Sequence, residues 1–112
     1  MESFERDVRT YETEEGYVPF NDWLSRLKDL KARAIIRARI NRIRLGLLGD
    51  WKSVGDGVYE LRISYGSGYR IYFGQDGQTI IILLFGGDKK TQKQDISQAK
   101  IYWQDYRRRI DG

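Results

Sequence analysis

The sequence predicts an α+β fold, a twisted antiparallel sheet with an N-terminal helical hairpin on one face and a C-terminal helix, in the order β-α-α-β-β-β-β-α. Three observations predict it. Residues 20–47 carry apolar side chains at helical spacing, residues 51–85 change to period-two alternation broken by turn signals, and residues 91–110 return to helical spacing. At 112 residues, 40% hydrophobic and 13% aromatic, the chain has the size and composition of one globular domain spanning 1–112.

Each element has its own signal. Residues 6–13, RDVRTYET, alternate Val8 with polar neighbours and carry threonine and tyrosine, so they read as a first strand. Pro19 suits a first helical turn, and Phe20, Trp23, Leu24 and Leu27 follow at helical spacing. A second helix over 30–47 places Ile36, Ile40, Ile43 and Leu47 on one stripe, arginines on the other side, and Gly46 and Gly49 at its end. Residues 51–54 read as a short strand, and Gly55-Asp56-Gly57 as a turn. Strands follow at 58–64, 69–75 and 79–85, the last two joined by the hairpin signal QDGQ. TIIILLF is apolar throughout, as in a strand covered on both faces. Thr91 and Gln94 have the spacing of a capping box before an amphipathic helix bearing Ile96, Ala99, Trp103, Tyr106 and Ile110.

Composition removes several function classes. There is no cysteine, hence no disulfide framework and no thiolate metal site. There is no histidine, which removes the commonest general base and zinc ligand. The N-terminus, MESFERDVRTYETEE, is acidic and lacks the apolar core of a signal peptide. No apolar run approaches the roughly 20 residues that span a bilayer. The expectation is a cytoplasmic protein with no membrane association, no metal and no cofactor.

Charge is unevenly spread. Net charge is +4, yet acids crowd the start (Glu2, Glu5, Asp7, Glu12, Glu14, Glu15) and bases fill residues 26–44, with Asp29 the single acid among them. Lys89, Lys90 and Lys93 form a second basic group, and Arg107–Arg109 a third. Basic clusters suit a polyanionic partner, or are solvated helix faces.

Two arginines stand out within the strands. If 58–64 and 69–75 pair so that Leu61 faces Ile71, the apolar sets share one face and Arg62 faces Arg70 on the other. Like charges placed opposite destabilise a strand pair. A phosphate or carboxylate seated between the guanidinium groups would repay that cost, and so would internal neutralisation by Glu60.

The segments VYELRI, GSGYRIYFG, LLFGGDKKTQKQDI and AKIYWQDY, in this order and spacing, resemble the RelE/ParE toxin superfamily. Within it they look most like the phage-Gp49/HigB-like group known as addiction module killer proteins. The resemblance covers nearly the whole chain and is strongest over 58–106. It implies a RelE-like fold and a type II toxin held inactive by a cognate helix-turn-helix antitoxin in a toxin–antitoxin heterotetramer. It further implies a metal-independent, ribosome-dependent mRNA endonuclease that leaves a 2′,3′-cyclic phosphate. Carried over by position, Arg62, Arg70 and Lys89 match the family's catalytic cations. The following TQKQDI offers Gln92 and Asp95 but neither the tyrosine nor the histidine of relatives, so the acid/base role falls to Asp95 as catalytic carboxylate, to Tyr72 on the face of Arg70, or to Lys89 with its basicity lowered by arginine neighbours, and Asp95 is equally a helix-start carboxylate. Lys90, Gln92, Lys93 and Tyr72 are the implied nucleic-acid contacts, and Arg33, Arg37 and Arg44 the implied antitoxin contacts. A ParE-like gyrase inhibitor that is no nuclease, or a plain nucleic-acid-binding module, fits the same basic faces.

Overall fold

The computed structural model describes residues 5–111, so Glu2 of the acidic N-terminal cluster lies outside the described residues. Its elements are β1 (Asp7–Thr10), α1 (Pro19–Arg26), α2 (Leu30–Arg44), β2 (Trp51–Gly55), β3 (Val58–Ile63), β4 (Tyr69–Asp76), β5 (Ile80–Asp88) and, after one 3-10 turn, α3 (Gln92–Asp111). The sheet runs β1-β5-β4-β3-β2. The order matches the sequence reading, with one difference. β2 to β5 pair antiparallel, but β1 pairs parallel to β5. The helical hairpin and the hairpins after it reverse the chain an even number of times between β1 and β5, so β5 returns in the direction of β1.

Local chemistry sets the helix ends. Pro19 occupies the first turn of α1, and the Asp29 carboxylate caps α2 by accepting from the Lys31 and Ala32 amides at 3.0 and 3.1 Å. α2 stops at Arg44, earlier than expected, because Gly46 takes a left-handed conformation (φ 87°) and the Gly46 and Leu47 amides turn back onto Ile43 and Arg42. Leu47 is therefore exposed and Leu48 enters the core instead. The capping box expected at Thr91 and Gln94 is absent. Asp88 caps the turn before α3, and the Thr91 hydroxyl donates to Asp95.

Two cores sandwich the sheet. Phe20, Leu24, Ile36, Ile40 and Ile43 of the helical hairpin pack on Leu61, Ile71, Phe73, Ile81 and Leu83. On the far face Ala99 and Trp103 of α3 cover Val58, Tyr72, Ile82 and Leu84. β5 feeds both, as its unbroken apolar run requires. Gly74 lets α3 sit this close, since a Cβ there would overlap the Trp103 ring. Among the described residues no helix is long and apolar enough to cross a membrane.

Candidate functional site

The hairpin of β3 and β4 has the expected register, with Leu61 opposite Ile71 and Arg62 opposite Arg70. Both arginines leave the face that carries α3. That face is not open, because α3 covers its centre and the arginines emerge only at the margin by the 64–68 loop. The Arg62 side chain is 38% exposed and that of Arg70 11%.

What holds the two like charges together is Glu60, which is fully buried. Arg62 Nε donates to Glu60 Oε1 at 3.0 Å. Glu60 Oε2 accepts from Gln92 Nε2 at 2.8 Å and from the Tyr72 hydroxyl at 3.3 Å, with Arg70 Nε 3.7 Å away. Arg70 also donates from Nη1 to the Gly68 carbonyl at 2.9 Å, so it braces the loop. Burial pushes the Glu60 carboxyl up, but the Gln92 amide and the two guanidinium groups outweigh it, and the net shift is downward. Glu60 is thus an ionised internal counter-ion. Each β3 residue of this face is two positions from the next, which places Glu60 beside Arg62 and opposite Tyr72.

Several expected contacts lie elsewhere. Tyr72 is buried completely, so it has no surface to offer a nucleic acid. Burial, together with the Glu60 and Asp95 charges, drives its phenol far above the ordinary value and keeps it protonated. Gln92 faces inward to Glu60. Asp95 is also buried. It accepts from Thr91 and lies against Gly87, and burial raises its carboxyl while the Thr91 hydroxyl acts the other way. Arg33 spends its guanidinium on the α1 end, donating to the Leu27 and Ser25 carbonyls at 2.7 Å each. Arg37 and Arg44 are exposed, as are Lys89, Lys90 and Lys93.

A cavity of about 210 Å³ opens beside the arginine pair, lined by Asp50, Arg62, Ile63, Ser64, Gly68, Tyr69 and Arg70. The Lys89 Cβ and Arg70 Nη1 both approach Gly68, at 3.7 and 3.5 Å from where a Cβ on that glycine would stand. Arg62 and Arg70, held by Glu60, therefore meet Asp50 at one margin of the sheet, with the Lys89 backbone end alongside at Gly68. Asp50, which follows the Gly46 and Gly49 that end the helix, carries no signal in the sequence that singles it out. Its backbone carbonyl accepts from the Arg62 amide at 2.9 Å, and that bond fixes it at the cavity wall. Asp95 does not line this cavity.

A family model for phage-derived Gp49-like proteins (DUF891) matches residues 22–106, which contain Asp50, Glu60, Arg62, Arg70 and Lys89. The chain belongs to this Gp49-like family. A Haemophilus influenzae protein described as uncharacterized is 54% identical over 86 residues, which cover 77% of this chain and 87% of that relative. The Gp49-like family is associated with addiction module killer proteins, so its coarse reading is a toxin-like protein with an antitoxin as partner.

Proposed function

We propose that this Gp49-like protein is a RelE/ParE-type toxin that acts in the cytoplasm as a metal-independent endonuclease on ribosome-bound messenger RNA. The observation that carries this reading is the Arg62–Arg70 pair, fixed around Glu60 beside a cavity of about 210 Å³, with Lys89 alongside. In the reaction the ribose 2′-oxygen attacks the adjacent phosphorus and its proton passes to the Asp50 carboxylate. The pentacoordinate phosphorane is held by Arg62 and Lys89, with Arg70 adding charge from behind. The bond to the 5′-oxygen breaks as Lys89 donates a proton to it, leaving a 2′,3′-cyclic phosphate and a 5′-hydroxyl. Tyr72 and Gln92 contribute by orienting Glu60, and Lys90 and Lys93 extend the cationic rim along the RNA.

Glu60 also favours a second reading. With its charge already neutralising part of the pair, the face suits a ParE-like gyrase inhibitor or a plain nucleic-acid-binding module. Inducible expression with mapping of messenger 5′ ends, run beside a gyrase supercoiling assay, separates these. The nuclease reading expects new 5′-hydroxyl ends for the wild type and their loss in Arg62→Ala, at a cost of about 10²–10³ in rate for one transition-state donor. Intact messenger with inhibited supercoiling would favour the gyrase alternative. In either case the cognate antitoxin is the expected partner, in a toxin–antitoxin heterotetramer, with Arg37 and Arg44 as its candidate contacts.

A further inference from the structure

A second cavity, of about 550 Å³, opens between α3, β5 and the segment that joins β1 to α1. Its walls are aromatic. The Phe85 and Tyr102 rings meet at 83° with centroids 5.9 Å apart, and Tyr17 is held in place by its hydroxyl, which donates to Asp22 at 2.9 Å. α3 adds Gln94, Asp95 and Gln98, which share one side of the helix at spacings of three and four. No lysine or arginine lines the cavity, in a chain that holds 20 of them.

Asp95 is the unusual member. It is 8% exposed, its Oδ2 accepts from the Thr91 hydroxyl, and its Oδ1 accepts from no described residue. No cation pairs with it among the described residues, and the neighbouring Asp88 carboxylate adds to burial in raising its carboxyl. A carboxylate that served only the dipole of α3 would do so from the exposed side of the helix, whereas burying an unpaired charge is costly. An adjoining cavity of about 370 Å³ shares Ile101 and Tyr102 and carries Glu14 and Glu15, which have no ion pair among the described residues. Aromatic walls, a buried unpaired carboxylate and an acidic approach occur together. We propose that this cavity binds the guanidinium group of an arginine side chain presented by another protein chain, with Asp95 as its counter-ion. The flat cation stacks on the rings and donates to Asp95 and to the side-chain carbonyls of Gln94 and Gln98. Its aliphatic stem crosses Ile101, which is 58% exposed at the lip. Free arginine fits less well, because its own carboxylate would face Glu14 and Glu15, and one carboxylate among rings and amides gives a metal ion too few ligands. The assignment is independent of the RNA reading, since this cavity shares no lining residue with the one beside Arg62 and Arg70.

The test titrates the full chain with the blocked tripeptide acetyl-Gly-Arg-Gly-amide into the millimolar range and follows side-chain signals by NMR. Saturable shifts are expected at the Gln94 and Gln98 amides and the Tyr17 and Tyr102 rings. Asp95→Asn is expected to weaken binding about tenfold or more, the loss of one charge-assisted contact. Tyr17→Ala, which leaves α3 and Asp95 in place, is expected to weaken it about two- to fivefold. The same peptide with citrulline for arginine keeps the shape without the charge and is expected not to bind, and a lysine version is expected to bind more weakly. No saturable shift, equal binding of the citrulline or lysine peptide, or equal affinity in a folded Asp95→Asn would overturn the proposal. Should Asp95→Asn fail to fold, the citrulline and Tyr17→Ala comparisons decide it. Shifts of the same signals by guanosine monophosphate but not by the arginine peptide would assign the cavity to a nucleobase and overturn it as well.

Discussion

Replacing Glu60 with glutamine keeps the side-chain volume and removes the charge, which isolates what the carboxylate does. Its two oxygens accept from Arg62, Gln92 and Tyr72, with Arg70 3.7 Å away. A carboxamide offers one acceptor and one donor, so one approach becomes donor against donor. Gln92 can turn its amide and Tyr72 its hydroxyl, and water reaches the half-exposed Arg62, so much of the hydrogen bonding is recoverable. The charge of Arg70 is not, because its side chain is only 11% exposed and loses its counter-ion. Breaking a buried pair by removing one partner costs about 3–5 kcal/mol. Water access at Arg62 puts Glu60→Gln near the lower end, about 3 kcal/mol, against a total stability of roughly 5–15 kcal/mol for a domain. Urea melts at pH 7 should show that loss, and the double variant Glu60→Gln/Arg70→Met should recover most of it, since no buried cation then remains unpaired. A single variant within about 0.5 kcal/mol of wild type, or a double variant no better than the single, would refute the counter-ion role.

Other outcomes follow from the same geometry. Because the Glu60 carboxyl is lowered in the folded protein, its contribution is full above the unfolded value of about 4.3 and lost as pH falls through the folded one, so Glu60→Gln should flatten the acid limb of a stability–pH profile. Asp95 has the opposite sign. Its raised carboxyl keeps its proton where the unfolded chain has lost it, so stability fades as pH climbs past about 3.9, and Asp95→Asn should remove that slope in the same melts. Trp103→Ala should cost about 3–5 kcal/mol in denaturant unfolding, since the ring is 4% exposed and seated over Gly74. Arg33→Ala should lose about 1–2 kcal/mol by releasing two carbonyls at the α1 end, whereas Arg37→Ala should stay within about 0.5 kcal/mol, both read from thermal melts.

The hairpin register was legible because period-two alternation leaves one pairing that puts Leu61 and Ile71 on the core face, and that pairing carries Arg62 to Arg70. The cover over the arginine face was less legible. The apolar stripe of α3 says that the helix has a buried side, not which face of the sheet receives it. The unbroken TIIILLF run carried the clue, since a strand buried on both faces needs a layer on each. Glu60 was visible as one way to neutralise the arginines, but an acid alternating with Tyr59 and Leu61 reads as solvent-facing until something roofs it. Arg33, Arg37 and Arg44 share a helix side in sequence, yet their fates diverge because the chain reversal at 27–29 brings two carbonyls within reach of the first alone.

The roof over the arginine face has a consequence for synthesis. α3 leaves the ribosome after every strand, yet it supplies Gln92 to Glu60 and Trp103 to the second core. At about 5–20 residues per second, its twenty residues lag the sheet by roughly 1–4 s. During that interval the nascent chain carries two arginines and a carboxylate on an uncovered, partly apolar surface, without the amide that completes their arrangement. A chain stopped before residue 92 has Arg62, Arg70 and Lys89 but lacks the Gln92 amide that supports their counter-ion. Completion of the last helix is therefore a maturation step, one that separates the making of this protein from the moment its charged margin acquires its final shape.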